Sequence, residues 1–381
     1  MRALVYEGPY RVRVREKPDP AIEHPDDVIL AVRRAAICGS DLHLYHGLVP
    51  DTRVGTTFGH EFTGEVVETG ASVRTLRRGD RVTVPFNIAC GTCFYCSRGL
   101  FGDCESSNPS NGLAGGIYGY SHTTGGYDGG QAEYVRVPFA DVGPMKLPEG
   151  MDEDDALLLT DVLPTGYQAA EMGGIAEGDT VAVLGCGPVG LAAARCAWLL
   201  GAGRVISLDR VDARLRFAER WAGAETIDLS RADDAVAALR EATGGRGPDV
   251  CIDAVGLEAS GSPLQTLLGR KLRIAPGSAV ALSWAIHAVR KGGTVSIVGV
   301  YGPPANLVPL GVAMNKGLTL RMGQANVKRY LPRLVEHVRA GRLRARELVT
   351  HRFPLEDAQR AYDLFDRKED GCVKCVLLPS A

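Results

Sequence analysis

The spacing of apolar positions changes along the chain. From Met1 to about Val84 it is short and strand-like. Arg2-Ala3-Leu4-Val5-Tyr6 and Arg11-Val12-Arg13-Val14-Arg15 alternate, the second cleanly at period two, which predicts strands with one buried face. Asp27 to Ala36 reads as a buried strand. Glu61 to Glu68 and Arg81 to Val84 read as further strands, parted by the turn signal Gly79-Asp80. Gln131 to Val137 returns to strand. The pattern is that of an antiparallel β domain carrying loops.

Asp152 to Met172 looks helical, with a break at Pro164-Thr165-Gly166. After Gly178-Asp179 the rhythm becomes βαβ. Thr180 to Leu184 is a buried strand, an apolar helix runs to about Leu200, and Arg204 to Leu208 is a second strand ending at Asp209. Asp212 is placed to cap a helix reaching about Trp221. A strand near Thr226, a helix over Ala235–Ala242, strands over Asp249–Ala254 and Thr294–Gly299, and a helix over Ala279–Arg290 continue the alternation. Leu318 to Arg321 is another strand, Val327–Ala340 and Leu355–Arg367 are helices, and Cys372–Leu378 is a closing strand. Val181 to Gly203 is long enough to span a membrane, but Gly185, Gly187, Pro188 and Gly190 break it near its start, and a soluble strand–turn–helix accounts for it better.

At 381 residues, 45% hydrophobic and 23% charged, the chain has room for two or three domains. A net charge of −2 gives no pull toward a polyanion, so nucleic acid is not an expected partner. The N-terminus has no apolar core of signal-peptide length. The ten cysteines are not spaced as a secreted disulfide framework. Both features fit a reducing, cytoplasmic compartment.

The chemistry concentrates between Ile37 and Glu61. Cys38-Gly39-Ser40-Asp41-Leu42-His43 and Gly59-His60-Glu61 together offer a thiolate, two imidazoles, two carboxylates and a hydroxyl. That inventory suits an open zinc site with a proton relay beside it. The blander alternative is a buried strand cysteine with surface histidines. Further on, Cys90, Cys93, Cys96 and Cys104 follow C-x2-C-x2-C-x7-C. Four thiolates suit tetrahedral, closed, structural zinc. An iron–sulfur cluster is the competitor, and the neighbouring zinc-like stretch favours zinc. Glu105 to Gly130 is a Gly- and Tyr-rich insert, too long for an idle connection, so it is either a lid or a disordered segment.

Gly185-x-Gly187-Pro188-Val189-Gly190 lies between a strand and a helix, and Asp209 ends the next strand nineteen residues after the last glycine. This is a dinucleotide fingerprint in its required setting. The glycines permit the turn, the approach of pyrophosphate and close helix packing, and the helix N-terminus favours phosphate. Asp209 is placed for ribose hydroxyls and against a 2′-phosphate, which favours NAD. Arg210 beside it is the feature that would accommodate NADP.

With these motifs in order, the sequence resembles the zinc-dependent medium-chain alcohol dehydrogenases over essentially its whole length. Gly130-Gln131-Ala132-Glu133-Tyr134 belongs to the same resemblance. The family implies an α/β protein with a GroES-like β-rich catalytic domain, 1–160 and 323–381, carrying a structural zinc lobe at 90–104. Split within it lies a Rossmann NAD-binding domain with a doubly wound parallel sheet, 161–322. Thr160-Asp161-Val162-Leu163-Pro164-Thr165-Gly166-Tyr167 and the insert look most like glutathione-independent formaldehyde dehydrogenase and formaldehyde dismutase. In that branch a similar insert covers the adenosine end of the cofactor. Most of the wider family has cysteine where this chain has Asp161.

The resemblance implies that Cys38, His60 and Asp161 hold catalytic zinc and that Cys90, Cys93, Cys96 and Cys104 hold a second ion. Glu61 is then either a carboxylate beside the ligands or a transient ligand. Asp41 would accept the other ring proton of His60. As hydride leaves, the substrate hydroxyl must lose a proton, with Ser40 the first relay and His43 the next. Thr165 and the backbone of Val298-Gly299-Val300 would position nicotinamide. The substrate would be formaldehyde or another small aldehyde hydrate or alcohol, with a secondary-alcohol, polyol or threonine-type dehydrogenase as runner-up. A non-catalytic NAD-binding sensor is the alternative of another class. The family also implies a homo-oligomer, a tetramer before a dimer. Cys372-x-x-Cys375 resembles a redox pair without the thioredoxin-like setting and reads as incidental strand cysteines.

Overall fold

The computed structural model describes residues 1–110, 112–232, 234–256, 279–301 and 308–379. The chain divides into two compact units, Met1–Pro164 with Asn326–Ala381, and Thr165–Ala325.

The first unit begins with the hairpin β1 (Arg2–Gly8) and β2 (Arg11–Glu16). In β2 the arginines lie outward, while Val12 is fully buried, as period-two alternation requires. The strands β3 (Val28–Ala36), β4 (Glu61–Thr69), β5 (Arg81–Val84), β6 (Asn87–Ile88), β7 (Gly116–Ile117), β8 (Tyr134–Val137) and β9 (Met145–Lys146) follow. A short helix, α1 (Gly39–Tyr45), sits between β3 and β4 where periodicity gave no helix. It is set off by its cap: Cys38 is the extended N-cap residue, and its N–H donates to Asp41 Oδ2 at 2.9 Å, a local exchange that satisfies orphan helix-start groups.

The segment expected to break at Pro164 breaks earlier. Helix α2 (Glu153–Leu158) ends, residues 159–161 turn, and α3 (Val162–Gly173) runs straight through Pro164 and Gly166. Pro164 occupies the third helical position, where its missing N–H has no intrahelical partner to lose. The actual break leaves Asp161 outside both helices. It is pinned by the N–H of Phe86, which donates to the Thr160 carbonyl at 3.0 Å.

The second unit is the βαβ part. Its strands β10 (Thr180–Leu184), β11 (Arg204–Asp209), β12 (Glu225–Asp228), β13 (Val250–Asp253), β14 (Thr294–Ile297) and β15 (Thr319–Met322) form one all-parallel sheet in the order β12-β11-β10-β13-β14-β15. The order reverses between β10 and β13, the place where such sheets bind ligands outside their strand ends. Helices α4 (Pro188–Leu199), α5 (Asp212–Phe217), α6 (Ala235–Ala242), α7 (Val280–Ala288) and α8 (Leu310–Lys316) connect it. The membrane-length run is β10, the glycine turn and α4. Its alanines and Cys196 pack as core, and no helix among the described residues is long and apolar enough to cross a membrane. Asp212 is not a cap but the first residue of α5. Asp209 already accepts the N–H groups of Arg210 and Val211 at 2.7 and 2.9 Å, which makes Val211 the N-cap residue, and Asp212 pairs with Arg216 one turn on.

The chain then returns to the first unit through α9 (Val327–Arg339), β16 (Val349–Pro354), α10 (Ala358–Arg367) and β17 (Lys374–Leu378). The large sheet reads β16-β17-β3-β4-β5-β9, with β8 also on β3. It departs from the all-antiparallel expectation at one pair, since β16 and β17 run parallel through the α10 crossover. The closing strand begins at Lys374 rather than Cys372, and β17 meets β3 at Val376–Ala36.

Among the described glycines of the second unit, Gly190 has the closest approach. A Cβ there would lie 1.9 Å from the Gly185 carbonyl oxygen. Gly190→Ala should therefore force α4 off β10, costing about 1–3 kcal/mol and lowering the calorimetric melting temperature by several degrees. An unchanged melting temperature would refute this packing account.

Candidate metal and dinucleotide sites

Strand register assembles the first cluster. Ala36, near the end of β3, pairs with Glu61 at the start of β4. Cys38, just beyond β3, and His60, just before β4, therefore meet at one sheet end, and the α2–α3 break adds Asp161. One donor atom from each of Cys38, His60, Glu61 and Asp161 lies within 4.8 Å of all the others. Cys38 Sγ is 3.6 Å and His60 Nε2 3.4 Å from Asp161 Oδ2. Tetrahedral zinc bonds of the usual lengths put such donors about 3.3–3.7 Å apart.

The surroundings also fit a cation. His60, Glu61 and Asp161 are all nearly or fully buried. Glu61 Oε2 is buried with no hydrogen-bond partner among the described residues. Burial raises the Cys38 thiol, and the charges of Glu61 and Asp161 raise it further. Burial alone would lower His60, but the Asp41 charge and contacts with Asp161, Asp41 and Cys38 outweigh it and hold the imidazole well above its ordinary value. Burial leads the Cys38 shift and buried negative charge adds to it, whereas negative charge and hydrogen bonds carry the His60 shift; a divalent cation would neutralise that charge.

Asp41 Oδ1 lies 3.2 Å from His60 Nδ1. Its Oδ2 accepts from the Cys38 N–H and, at 3.4 Å, from Gln131 Nε2. This places a carboxylate behind the imidazole, leaving Nε2 toward the cluster. Ser40 Oγ is 3.4 Å from His60 Nε2. His43 follows Ser40 on α1 at the i, i+3 spacing that shares a helix face. It is 3% exposed, as is His60, so neither is the surface histidine of the blander reading.

Three features escape sequence reasoning, two at this cluster and one at the glycine turn of the second unit. Lys374 Nζ reaches Glu61 Oε1 at 2.5 Å, with both side chains at 0% exposure. Burial lowers the Lys374 ammonium, but the Glu61 charge more than restores it, so it stays protonated. The one signal was a lysine heading the apolar strand Lys374-Cys375-Val376-Leu377-Leu378. Secondly, Phe86 and Tyr120 stand edge-on to the His60 ring, at 5.8 and 6.5 Å between centroids. Tyr120 comes from the insert, whose described residues are folded rather than disordered: β7 pairs with β6, and a Cβ on Gly119 or Gly129 would come within 2.5 Å of the Phe58–Gly59 backbone. Thirdly, an Arg214 guanidinium nitrogen lies 3.9 Å from where a Cβ on Gly187 would be, adding positive charge to the glycine turn.

The second cluster is Cys90, Cys93, Cys96 and Cys104, again with mutual donor distances within 4.8 Å. Cys93 and Cys104 sulfurs are 3.9 Å apart, near the about 3.8 Å that tetrahedral zinc–sulfur bonds imply. The N–H groups of Thr92 and Cys93 donate to Cys90 Sγ at 3.4 and 3.3 Å. Burial opposes ionisation of Cys90, but the Ser106 hydroxyl and those N–H groups bring it down to about 6. Against burial, backbone N–H groups lower Cys93 as well, whereas burial raises Cys96, so the turn favours thiolate at Cys90 and Cys93.

In the second unit, Gly185 turns at φ +94°, Gly187 caps α4 and Pro188 and Val189 open it. Asp209 ends β11 and its Oδ2 accepts the Cys186 N–H at 2.7 Å, tying the acid to the glycine turn; Arg210 follows it. The Val298 and Gly299 N–H groups donate to the Asp253 carbonyl, both at 3.0 Å, holding Val298–Val300 at the end of β14. Thr165 lies in the first turns of α3. Cys186, Cys196 and Cys251 are core residues.

Comparison with known proteins gives two family matches: an alcohol dehydrogenase GroES-like domain over residues 24–149 and a zinc-binding dehydrogenase domain over 188–276. The uncharacterized zinc-type alcohol dehydrogenase-like protein AdhB of Bacillus subtilis is 46% identical over all of both chains. Glutathione-independent formaldehyde dehydrogenase of Pseudomonas aeruginosa is 37% identical over 96% of this chain and 94% of that one. Among solved structures, alcohol dehydrogenase TADH from Thermus sp. ATN1 is 40% identical, covers 99% of both chains and superposes with a TM-score of 0.86. An Escherichia coli CFT073 alcohol dehydrogenase complexed with NADH is 26% identical, covers 99% of both chains and has a TM-score of 0.80.

Two outcomes follow from the geometry. Lys374→Met should strand Glu61 as a buried charge and cost about 3–5 kcal/mol in denaturant melts, and adding Glu61→Gln should recover most of it. A double variant no more stable than the single one would break the pairing account. Cys93→Ala should lose one zinc by elemental analysis and lower stability, because metal binding at such a lobe contributes folding free energy. Full zinc content would rule out this ligand.

Proposed function

The chain belongs to the zinc-dependent medium-chain alcohol dehydrogenases and is an oxidoreductase of that family, and on that premise we propose that it transfers hydride between NAD and a small aldehyde hydrate or alcohol, with formaldehyde hydrate, oxidised to formate, as its substrate. The observation that carries the choice of a small substrate is the crowding of His60 by Phe86 and Tyr120. Asp161, in place of the usual cysteine, and the Gly/Tyr insert are features shared with the formaldehyde-oxidising branch. The likeness to the Pseudomonas aeruginosa formaldehyde dehydrogenase adds support.

In this reading Cys38, His60 and Asp161 hold the catalytic zinc and the four lobe cysteines hold the structural one. The catalytic ion supplies Lewis acidity at the substrate oxygen. Asp41 fixes the Nδ1–H of His60, so that Nε2 presents its lone pair to the metal. Lys374 engages one oxygen of Glu61, which makes Glu61 a neighbour of the ligands with one oxygen to spare.

Formaldehyde hydrate is a diol, so its oxidation removes hydride from carbon and a proton from oxygen, as in an alcohol. Ser40 takes the proton and His43 passes it on. Phe86 and Tyr120 exclude water and bulky substituents from the reacting oxygen. The Gly185–Gly190 turn and the α4 N-terminus take the pyrophosphate, with the Arg214 guanidinium adding positive charge. Asp209 accepts the adenosine ribose hydroxyls and disfavours a 2′-phosphate, so NAD is the cofactor. Thr165 and Val298–Val300 contact the nicotinamide. If NAD stays bound between turnovers, a second aldehyde can reoxidise it, giving dismutation.

Purified protein incubated with formaldehyde, with and without added NAD, tests the reading. Formate only with added NAD marks a dehydrogenase; equal formate and methanol without it marks a dismutase; neither product rejects this substrate. Asp161→Ala should abolish turnover while fold and lobe zinc persist, and near-normal activity would sink the ligand assignment.

A further inference from the structure

A third cluster lies apart from both zinc sites. We propose that Cys372, Cys375 and His351 form a separate binding site for a soft d10 metal ion, of the Cu(I) class. The three residues bring one donor atom each within 4.8 Å of the others. The two sulfurs are 3.3 Å apart, and both cysteines are essentially unexposed.

The backbone explains the convergence. In the parallel pairing of β16 with β17, His351 stands directly opposite Cys375, so the two side chains share a face. Cys372 precedes β17 and would not lie on that face by strand alternation. It is brought there by a bulge: the register shifts between Val349 and His351, leaving Thr350 out of the ladder. Thr350 Oγ1 accepts the N–H groups of Val373 and Lys374 at 3.0 and 3.3 Å. That curls the turn and returns Cys372 to Cys375. The C-x2-C spacing is also the one that the lobe uses twice.

His351 is held by contacts on both ring nitrogens. Its Nε2 lies 3.2 Å from Asp370 Oδ2, while Nδ1 faces Thr350 Oγ1 at 2.9 Å. An acidic partner on Nε2 favours the proton there; ligation through Nδ1 would exchange its contact with Thr350 Oγ1, which gives its own proton to the Lys374 carbonyl at 3.2 Å, for the ion. The His351 side chain is 18% exposed and Asp370 81% exposed, giving an ion a route past the imidazole to otherwise buried sulfurs.

The donor set selects the ion. Two thiolates and one imidazole are soft ligands that suit Cu(I) and zinc. Structural zinc takes four protein ligands, and only three donors gather here among the described residues. Monovalent copper is satisfied by three. Lys374 lies between the two cysteines, and alternation along β17 sends it to the opposite face, toward Glu61. The site is thus distinct from the catalytic cluster and does not depend on which substrate the enzyme takes.

The test uses the zinc-loaded enzyme and Cu(I) buffered by a competing chelator, with zinc followed in the same sample. The parent should take up one Cu(I) per chain with its zinc retained, and loading should raise the melting temperature. Cys375→Ser should lose that uptake, and His351→Ala, on the more exposed side, should weaken it at least tenfold with the circular dichroism unchanged. Equal uptake by parent and variants, or uptake only as zinc is expelled, would overturn the site. Failure to bind Cu(I), with loss of two titratable thiols on peroxide treatment, would overturn it in favour of a redox pair.

Discussion

The first unit depends on how it buries negative charge at the ends of β3, β4 and β17. Cys38, Asp41, Glu61 and Asp161 converge there with His60, in surroundings where water cannot screen them. An isolated buried carboxylate costs several kcal/mol. The protein offsets this with cations of two kinds. Lys374, fully buried, answers Glu61 directly, and in the proposed ligand assignment zinc would answer the donor set of Cys38, His60 and Asp161. Much nearby architecture serves that arrangement. The β3–β4 register aligns Ala36 with Glu61, the Cys38–Asp41 exchange starts α1, and β17 lies against β3 so that Lys374 can reach across.

What was legible in the sequence follows from range. The βαβ unit is built from local patterns, a strand, a glycine turn, a helix and an acid, so its order could be read off the chain. Ligand-type residues announce their chemistry by type and spacing. Lys374 does not, because its partner Glu61 is 313 residues away and a single lysine in a strand looks like an edge residue. The helix break was misplaced for a local reason: proline reads as a breaker in sequence, but in the first turn it breaks nothing. Tyr120 was invisible as part of the site because its position depends on packing the insert's glycines against the Phe58–Gly59 backbone, and no periodicity encodes that.

The insert shows how a long loop becomes part of a site wall. Gly119 and Gly129 allow backbone contact where a side chain would clash, Asp51 holds Thr123 from outside, and β6–β7 adds a short ladder. These contacts set Tyr120 beside His60 at a fixed place. In the proposed reading, selectivity for a small substrate can then rest on rigid aromatic edges. Such a wall discriminates by size, and size discrimination by an apolar pocket is worth only about 1–3 kcal/mol per methylene.

Asp161 ties these threads together. In the proposed ligand set, the Asp161 carboxylate stands where a thiolate would carry the same charge, so the balance that Lys374 helps maintain is unchanged. Its oxygens are harder and less polarisable than sulfur and withdraw less of the cation's positive character. In the proposed assignment a substrate oxygen on the ion would therefore be polarised more strongly. The position of Asp161 in the α2–α3 turn makes this practical. Residues 159–161 are not committed to a helix, and the Thr160 carbonyl is anchored by Phe86, the residue whose ring also walls the site. The proposed ligand Asp161 and the Phe86 ring are thus coupled through the hydrogen bond from the Phe86 N–H to the Thr160 carbonyl, and a change that shifts either backbone would disturb both together.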